Sequence, residues 1–123
     1  MKIGEKLIKE FIVLDKHSAK NMGSGDLEVL STPSLIAFIE ETCKDLLAQR
    51  LENDSSSVGS HVSLDHLAAS KISARIKIEA EIVNIEKERF VYFSANAYDG
   101  DKKIGQAKHT RVIVNVEKFL SKL

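Results

Sequence analysis

Cysteine, proline, tryptophan and excess charge are scarce or missing in this chain of 123 residues. The single cysteine, Cys43, excludes an internal disulfide and a cluster of thiolate metal ligands, and it fits a reducing compartment. The 18 Lys and Arg residues balance the 18 Asp and Glu residues, so the net charge is zero. Nucleic-acid binding needs a basic surface, and we therefore expect no nucleic acid as a main partner. A neutral chain also favours self-association over repulsion between copies.

Long apolar segments and several familiar motifs are missing too. The N-terminus has no apolar run, so we expect no signal peptide, no membrane span and a cytoplasmic protein. The final tripeptide, Ser121-Lys122-Leu123, would direct the protein to peroxisomes only in a eukaryote. No nucleophile elbow, glycine-rich phosphate loop or metal-spaced His/Cys set is present, so we expect no metal site.

The pattern of apolar residues predicts one α+β domain over residues 1–123. Thr32-Pro33 predicts the start of a helix, with Thr32 as its N-cap, that runs to about Leu51 after a loop at 15–31. Strict alternation or apolar runs predict strands at residues 7–14, 58–67, 71–85, 90–98 and 104–116. One long helix must bury its apolar face, so we expect an antiparallel sheet wrapped around a long central helix.

Glu40 has an unusual place on the predicted helix. On a helical wheel it lies at the edge of the apolar stripe, whereas its neighbour Glu41 lies on the solvated side. A carboxylate at that edge is partly desolvated and could carry chemistry. The alternative is a surface residue paired with Lys44 one turn later, which is common for helical glutamates. Cys43 lies within the stripe, and we interpret it as a core residue, not a nucleophile.

Thr32, Gly59 and His66 each have a structural and a functional interpretation. Helix capping alone explains Thr32, but a hydroxyl at a helix N-terminus also lies where a developing oxyanion is favoured. His66 follows Asp65 on a strand and points to the opposite face, and a lone histidine is more often structural than catalytic. His61 also faces away from His66, which argues against a two-histidine metal site. Gly59 would let a ligand approach the backbone, or it is simply a bulge.

Three features of this chain, two residue spacings and one strand sequence, are shared with one known family. Thr32 is followed eight residues later by Glu40 on the central helix, and Gly59 is followed seven residues later by His66 and then Ala68-Ala69. The third is a C-terminal strand that reads IGQAKHTRVI from Ile104. Together these features resemble the hotdog-fold acyl-CoA thioesterases, most closely the fluoroacetyl-CoA thioesterase-like branch, over nearly the whole chain.

The resemblance implies a hotdog fold that assembles as a homodimer or as a tetramer of dimers. Two sites would lie at the subunit interface, with pantetheine threaded between subunits and no metal or other cofactor. Coenzyme A would enter only as part of an acyl-CoA or acyl-carrier-protein substrate. No nucleic acid and no membrane would be partners.

The resemblance also implies roles for individual residues. Glu40 would be the nucleophile or the general base toward the thioester carbonyl, and Thr32 would orient Glu40 or the water. His66 would activate water and assist proton transfer. The backbone N–H of Gly59 would polarise the carbonyl oxygen, and Arg111 would contact the substrate.

One departure bears on the substrate. The fluoroacetyl-specific enzymes carry an aromatic lid before the central helix, whereas residues 16–31 contain no aromatic residue here. The sequence therefore favours an ordinary small or medium acyl group over a fluorinated one. The rival hypothesis is a non-catalytic hotdog module that binds acyl-CoA as a sensor. Such a module has no need for Thr32, Glu40 and His66 together, so their joint presence favours a thioester hydrolase.

Overall fold

The computed structural model describes residues 1–123 as one antiparallel sheet with a helix packed on its inner face. The five strands lie in the order β1-β3-β4-β5-β2, and every neighbouring pair is antiparallel. The elements are β1 (Lys6–Ile12), α1 (Ala19–Met22), α2 (Thr32–Ala48), β2 (Ser55–His66), β3 (Arg75–Glu86), β4 (Phe90–Asp99), β5 (Lys102–Asn115) and α3 (Val116–Ser121). The predicted α+β fold, a sheet packed around one long helix, is confirmed.

Alternation along the strands decides which face is buried. On β3, Ile76, Ile78 and Ile82 are fully buried while the charged residues between them face solvent, as the period of two predicts. The inner faces of β3 and β4 and the apolar stripe of α2 share one core. Leu35, Ile39, Leu46 and Leu47 are among its fully buried members. The sheet thus covers one side of α2, and the orientation of every residue on that helix is fixed by the core.

The N-cap of α2 differs from the sequence prediction. Ser31 is the N-cap, with its Oγ accepting a 3.1 Å hydrogen bond from the Ser34 backbone N–H. Thr32 is the first helical residue and Pro33 the second, so the prediction that Thr32 caps the helix is wrong. Ser31 and Thr32 can both cap, but Ser31 has the extended backbone conformation of an N-cap and is 1% exposed, with its N–H donating to the His17 backbone oxygen. As a result the Thr32 hydroxyl is free for another partner.

Several element boundaries also differ from the predictions. The helix ends at Ala48, not at Leu51, and β2 begins at Ser55, inside the stretch 53–57 that reads as a polar break. The predicted loop 15–31 contains a 3-10 turn at Asp15–His17 and α1, and the Ser18 side chain caps α1. Serine side chains form hydrogen bonds with nearby backbone groups. Serine-rich segments therefore give only a weak signal for a loop as against a helix or strand.

Strand β2 forms one edge of the sheet. It pairs only with β5, and its other side carries no strand. None of the helices is long and apolar enough to cross a lipid bilayer.

Candidate active site

The side chains of Thr32 and His66 meet at the N-terminal end of α2. Thr32 Oγ1 and His66 Nδ1 are joined by a hydrogen bond of 2.8 Å. The Thr32 hydroxyl is available to the imidazole because Ser31 caps the helix. His66 approaches Thr32 from the end of β2. When Nδ1 carries the proton it donates to the Thr32 hydroxyl oxygen, and Nε2 is left unprotonated as a base; in the other tautomer Nδ1 accepts a hydrogen bond from the hydroxyl and Nε2 carries the proton.

The surroundings of His66 keep its ring neutral. Its pKa is lowered from the ordinary value by burial, and the backbone of Ala68 offsets this in part. Nε2 is buried without a hydrogen-bond partner in the chain. Asp65 is not a partner of the His66 ring, because its Oδ2 accepts a 3.2 Å hydrogen bond from Gln106 on the outer face of the sheet. The predicted opposite orientation of Asp65 and His66 is therefore observed.

Glu40 lies two turns further along α2, in a different environment. Its side chain is 41% exposed, and its Oε2 is 3.8 Å from Nη1 of Arg111 on β5. It does not pair with Lys44, which instead lies 3.3 Å from Asp45. Glu41, the neighbour on the solvated face, accepts a 2.7 Å hydrogen bond from Lys9. The wheel therefore separates the two glutamates correctly.

Gly59 provides the space into which Glu40 projects. A Cβ atom added to Gly59 would lie 2.7 Å from Oε2 of Glu40 and 3.2 Å from Cε1 of His109. The strand is irregular here, because Gly59 pairs with Arg111 and His61 with Thr110, so Ser60 is an extra residue in a bulge. A bulge next to Gly59 is thus present, and the group that approaches the glycine in this chain is the Glu40 carboxylate. The predicted approach of a ligand to its backbone stays a prediction.

Buried polar side chains on β5 and β2 surround the carboxylate. Arg111 is only 6% exposed, and its Nε and Nη2 donate to Oγ and the backbone oxygen of Ser57, at 2.8 and 3.0 Å. Its Nη1 is 3.2 Å from Nε2 of His109. We call Glu40, Ser57, Gly59, His109 and Arg111 the Glu40 cluster. No role is predicted for Ser57 or His109 from the sequence, although the period of two on β5 places His109 on the same face as Arg111.

The chain therefore holds two polar centres, not one. The Thr32–His66 pair and the Glu40 cluster are separated by eight residues of helix, which is about 12 Å along its axis. No hydrogen bond or ion pair within the chain joins Glu40 to Thr32 or His66. Of the predicted site residues, the fold brings Thr32 to His66 and brings Glu40 to Gly59 and Arg111.

Each centre opens onto its own cleft. The cleft at the Thr32–His66 pair has a volume of about 450 Å³ and is lined largely by alkyl side chains, including Val29, Leu30, Leu67, Ala68 and Ala69. The cleft at Glu40 has a volume of about 210 Å³ and is bordered by Gly59, Ser60, His61, Val62 and His109. Both clefts are open to solvent.

Cys43 lies behind the Glu40 cluster. It is fully buried, and burial raises the pKa of its thiol to about 12. A thiol with that pKa is not a nucleophile at neutral pH, in agreement with the prediction of a core residue. No three His, Cys, Asp or Glu side chains converge where they could hold a metal ion.

Comparison with known proteins identifies the family. The family model of the FlK fluoroacetyl-CoA-specific thioesterases matches residues 13–117. The chain belongs to this family. The fluoroacetyl-CoA thioesterase of Streptantibioticus cattleyicolor is 26% identical to it, over 100% of this chain and 92% of that protein.

Solved structures agree with this assignment. An alanine mutant of the fluoroacetyl-CoA-specific thioesterase FlK, in complex with fluoroacetate and CoA, matches at a TM-score of 0.91 and 26% identity, over 97% of this chain and 99% of that one. A thioesterase superfamily member from Thermus thermophilus shares the fold, with a TM-score of 0.89 at 22% identity over 98% and 88% of the two chains. The predicted family, the hotdog fold and the thioesterase class of enzyme are confirmed.

In a member of the FlK family, this set of groups suits thioester hydrolysis. A hydroxyl–imidazole pair can hold and deprotonate a water molecule, and a carboxylate with free oxygens can act on the carbonyl carbon or on the water. Glu40 makes no hydrogen bond within the chain, so both of its oxygens remain available.

Proposed function

We propose that this protein hydrolyses acyl-CoA thioesters at sites shared between two copies of the chain. In each site Thr32 and His66 come from one protomer, and Glu40 with Gly59 comes from the other. The observation that carries this proposal is the separation of the two polar centres on α2, each with an open cleft. The assembly is a homodimer, alone or within a tetramer of dimers.

The free edge of β2 offers a way to join the two centres. With Ser60 as the extra residue, Gly59 and His66 are separated by six pairing positions, since their partners on β5 are Arg111 and Gly105. An even separation places both on the inner face of the sheet. Two β2 strands that pair antiparallel about a two-fold axis at Ser63 would set Gly59 opposite His66 of the second copy.

That register also satisfies the geometry of the reacting groups. Directly opposed residues in an antiparallel pair have Cβ atoms about 5 Å apart. Because Glu40 fills the space above Gly59, the imidazole opposite Gly59 would lie beside the carboxylate. If the two β2 strands paired with a shift of one residue, the second copy would face the opposite side of the joined sheet. Its His66 would then lie away from Glu40 of the first copy.

The chemistry then follows from the groups that meet. Glu40 acts on the thioester carbonyl, either directly or through a water molecule, and His66 with Thr32 handles the protons. The Gly59 N–H stabilises the oxyanion that forms on the carbonyl oxygen. In the water route, cleavage of the C–S bond releases the acid; in the direct route it leaves an acyl–Glu40 anhydride, which a water molecule then hydrolyses to the acid. In both routes the CoA thiolate leaves and takes up a proton. Coenzyme A enters as part of the substrate and leaves as the free thiol, and the proposed reaction uses no cofactor.

The cleft beside the Thr32–His66 pair supports an aliphatic acyl group as substrate. Six of its ten lining residues are apolar, and residues 16–31 beside it contain no Phe, Tyr or Trp. Apolar walls favour small or medium acyl chains through burial of CH₂ groups, each contributing about 0.8 kcal/mol.

Mixed dimers test the shared site directly. Glu40→Gln and His66→Ala chains, each with its own affinity tag, are coexpressed, and the dimer that carries both tags is purified. One of its two sites then combines wild-type Glu40 with wild-type His66, so activity should recover to about half that of the wild-type dimer. Each parent homodimer should remain at least ~10²-fold reduced.

The matched control pairs Thr32→Ala with His66→Ala. These residues come from the same protomer in every site, so both sites of that mixed dimer stay damaged and no recovery is expected. Recovery in the control but not in the Glu40–His66 mixture would refute the shared site. A stable wild-type monomer at micromolar concentration in sedimentation would refute the dimer, and release of no thiol from a panel of acyl-CoAs would favour a non-catalytic binding module.

A further inference from the structure

His109 is a buried titratable residue to which the proposed chemistry assigns no role. It lies on the inner face of β5, 2% exposed, two residues before Arg111. Its ring joins two neighbours: Nδ1 lies 2.7 Å from the backbone oxygen of His61, and Nε2 lies 3.2 Å from Nη1 of Arg111. The ring therefore links the backbone of β2 to the guanidinium beside Glu40.

The two contacts determine the tautomer of His109. A backbone carbonyl oxygen only accepts hydrogen bonds, so Nδ1 must carry the proton that is donated to His61. Nη1 of Arg111 only donates, so Nε2 must be unprotonated and accept. A doubly protonated ring would point an N–H at a buried cation. Burial lowers the pKa of His109, the His61 backbone offsets this in part, and the charge of Arg111 lowers it further.

Arg111 is fixed on its other side as well. Ser57 accepts from Nε and Nη2, so the plane of the guanidinium is held by Ser57 at one end and His109 at the other. Nη1, the nitrogen held by His109, is also the one nearest Glu40, at 3.8 Å from Oε2. At that distance the cation faces the carboxylate without taking up either of its oxygens in a hydrogen bond.

We propose that His109 is a positioning residue that, as a neutral Nδ1–H tautomer, holds Nη1 of Arg111 back from the Glu40 carboxylate. The restrained guanidinium supplies positive charge beside Glu40 while both carboxylate oxygens stay free for the substrate or water. Without His109, Nη1 loses an acceptor and turns toward the nearest remaining one, Oε2 of Glu40. This role rests on the proposed function of Glu40 in thioester hydrolysis.

Two amide substitutions separate the two hydrogen bonds of the ring. His109→Asn places an amide N–H near the position of Nδ1 and keeps the bond to His61, but it offers nothing to Arg111. His109→Gln places an oxygen near the position of Nε2 and keeps the hydrogen bond from Arg111, but it loses the hydrogen bond to the backbone oxygen of His61. Each variant loses one bond, so both should lower the melting temperature by similar amounts.

Catalysis should distinguish the two variants. We expect His109→Asn to lower kcat by ~10²-fold with KM for an acyl-CoA within about twofold of wild type, since a group displaced by about 1 Å has an effect of that size. His109→Gln should retain most of the wild-type kcat. Lys108→Gln is the control, because Lys108 lies on the same strand with an exposed side chain on the opposite face.

The tautomer can be measured in the unmodified protein, whether or not the variants fold. A long-range ¹H–¹⁵N correlation spectrum of labelled wild-type protein at neutral pH should show His109 protonated on Nδ1 alone. Protonation on Nε2 would overturn the proposal, because that nitrogen could then not accept from Arg111. Equal losses of kcat in the Asn and Gln variants, or none in the Asn variant, would also overturn it.

Glu40→Gln, assayed beside these variants, separates this proposal from the one on which it rests. If Glu40→Gln keeps wild-type turnover, the role of Glu40 itself is wrong. If Glu40→Gln is inactive while His109→Asn turns over normally, only the positioning role of His109 is wrong.

Discussion

Glu40 and Gly59 lie in such close contact that a methyl group on Gly59 would displace the Glu40 carboxylate. A Cβ on Gly59 would stand 2.7 Å from Oε2 of Glu40, well inside van der Waals contact. The glycine is thus required by the position of a carboxylate and not by a special backbone conformation, since Gly59 is not among the residues with positive φ. The contact links the helix that carries Glu40 to the strand whose outer edge is free.

Gly59→Ala should therefore affect activity much more than stability. The added methyl group displaces the far end of a flexible side chain, which costs little in unfolding free energy, but it moves the carboxylate from its working position. We expect kcat/KM to fall by ~10²-fold and the melting temperature to change by only a few degrees. Ser56→Ala, at an exposed site on the same strand, is the control. It should keep the kcat/KM and the melting temperature of the wild type. A fully active Gly59→Ala enzyme would show that the position of Glu40 is not critical.

The two neighbouring glutamates on α2 provide a second test. Glu40→Gln should lower kcat by at least ~10²-fold because it removes the acid–base or nucleophilic group. Glu41→Gln removes only a surface partner of Lys9, which keeps its contact with Asp45, so its effect on stability should be at most about 1 kcal/mol and its effect on turnover small. Steady-state kinetics of the two variants decide the matter. Similar losses in both would contradict the assignment of Glu40.

His66→Ala tests whether His66 acts in chemistry or in binding. A proton-transfer group acts mainly in the transition state, so we expect kcat to fall while the affinity for a non-hydrolysable acyl-CoA analogue stays near that of the wild type. Calorimetry measures the affinity, and thiol release measures turnover. If the wild type binds the analogue but releases no thiol, and His66→Ala behaves identically, the protein is a sensor and not an enzyme.

Ser31 and Thr32 should separate helix capping from catalysis. Ser31→Ala removes the N-cap of α2 and should lower the unfolding free energy by about 1 kcal/mol. Thr32→Val keeps the shape of the side chain but removes the hydroxyl bonded to His66, and it should lower kcat with a smaller effect on stability. Denaturant unfolding and kinetics on both variants provide the comparison. A larger loss of stability from Thr32→Val would restore Thr32 as the cap.

One buried and two partly buried histidines predict a pH dependence of stability. Burial lowers the pKa values of His17, His66 and His109 in the folded chain, whereas an unfolded histidine titrates near 6.5. As the pH falls below about 6.5, the unfolded chain takes up protons that the folded chain does not, so the unfolding free energy must decrease.

Urea unfolding at pH 7.5, 6.5 and 5.5 tests this relation above the range in which carboxyl groups titrate. Stability should be greatest at pH 7.5 and lowest at pH 5.5, and His109→Gln should reduce the difference. A protein that becomes more stable on acidification over this range would contradict the lowered pKa values of these three rings.

Individual residues show how far the site could be predicted from the sequence. The wheel separated Glu40 from Glu41 because the apolar stripe of a helix is local information with a fixed period. The cap was assigned to Thr32 instead of Ser31 because two adjacent residues with similar capping propensity differ only in what packs on them. Ser57 was missed because its contact with Arg111 joins β2 to β5, which are about fifty residues apart in the chain. His109 shares β5 and one face with Arg111, but its second contact, to the backbone oxygen of His61, again depends on the pairing of β2 with β5.

Periodicity and motif spacing are properties of the chain alone, and they were sufficient to predict the strands, the long helix, the packing of the helix on the sheet and the family. Which polar groups meet depends on the tertiary structure. A helix rise of 1.5 Å per residue keeps Glu40 about 12 Å from Thr32 whatever the sequence suggests. The register of β2 on β5 brings Gly59 and Arg111 to Glu40 instead. These contacts depend on the pairing of strands that are far apart in the chain. That pairing cannot be read from the order of the residues.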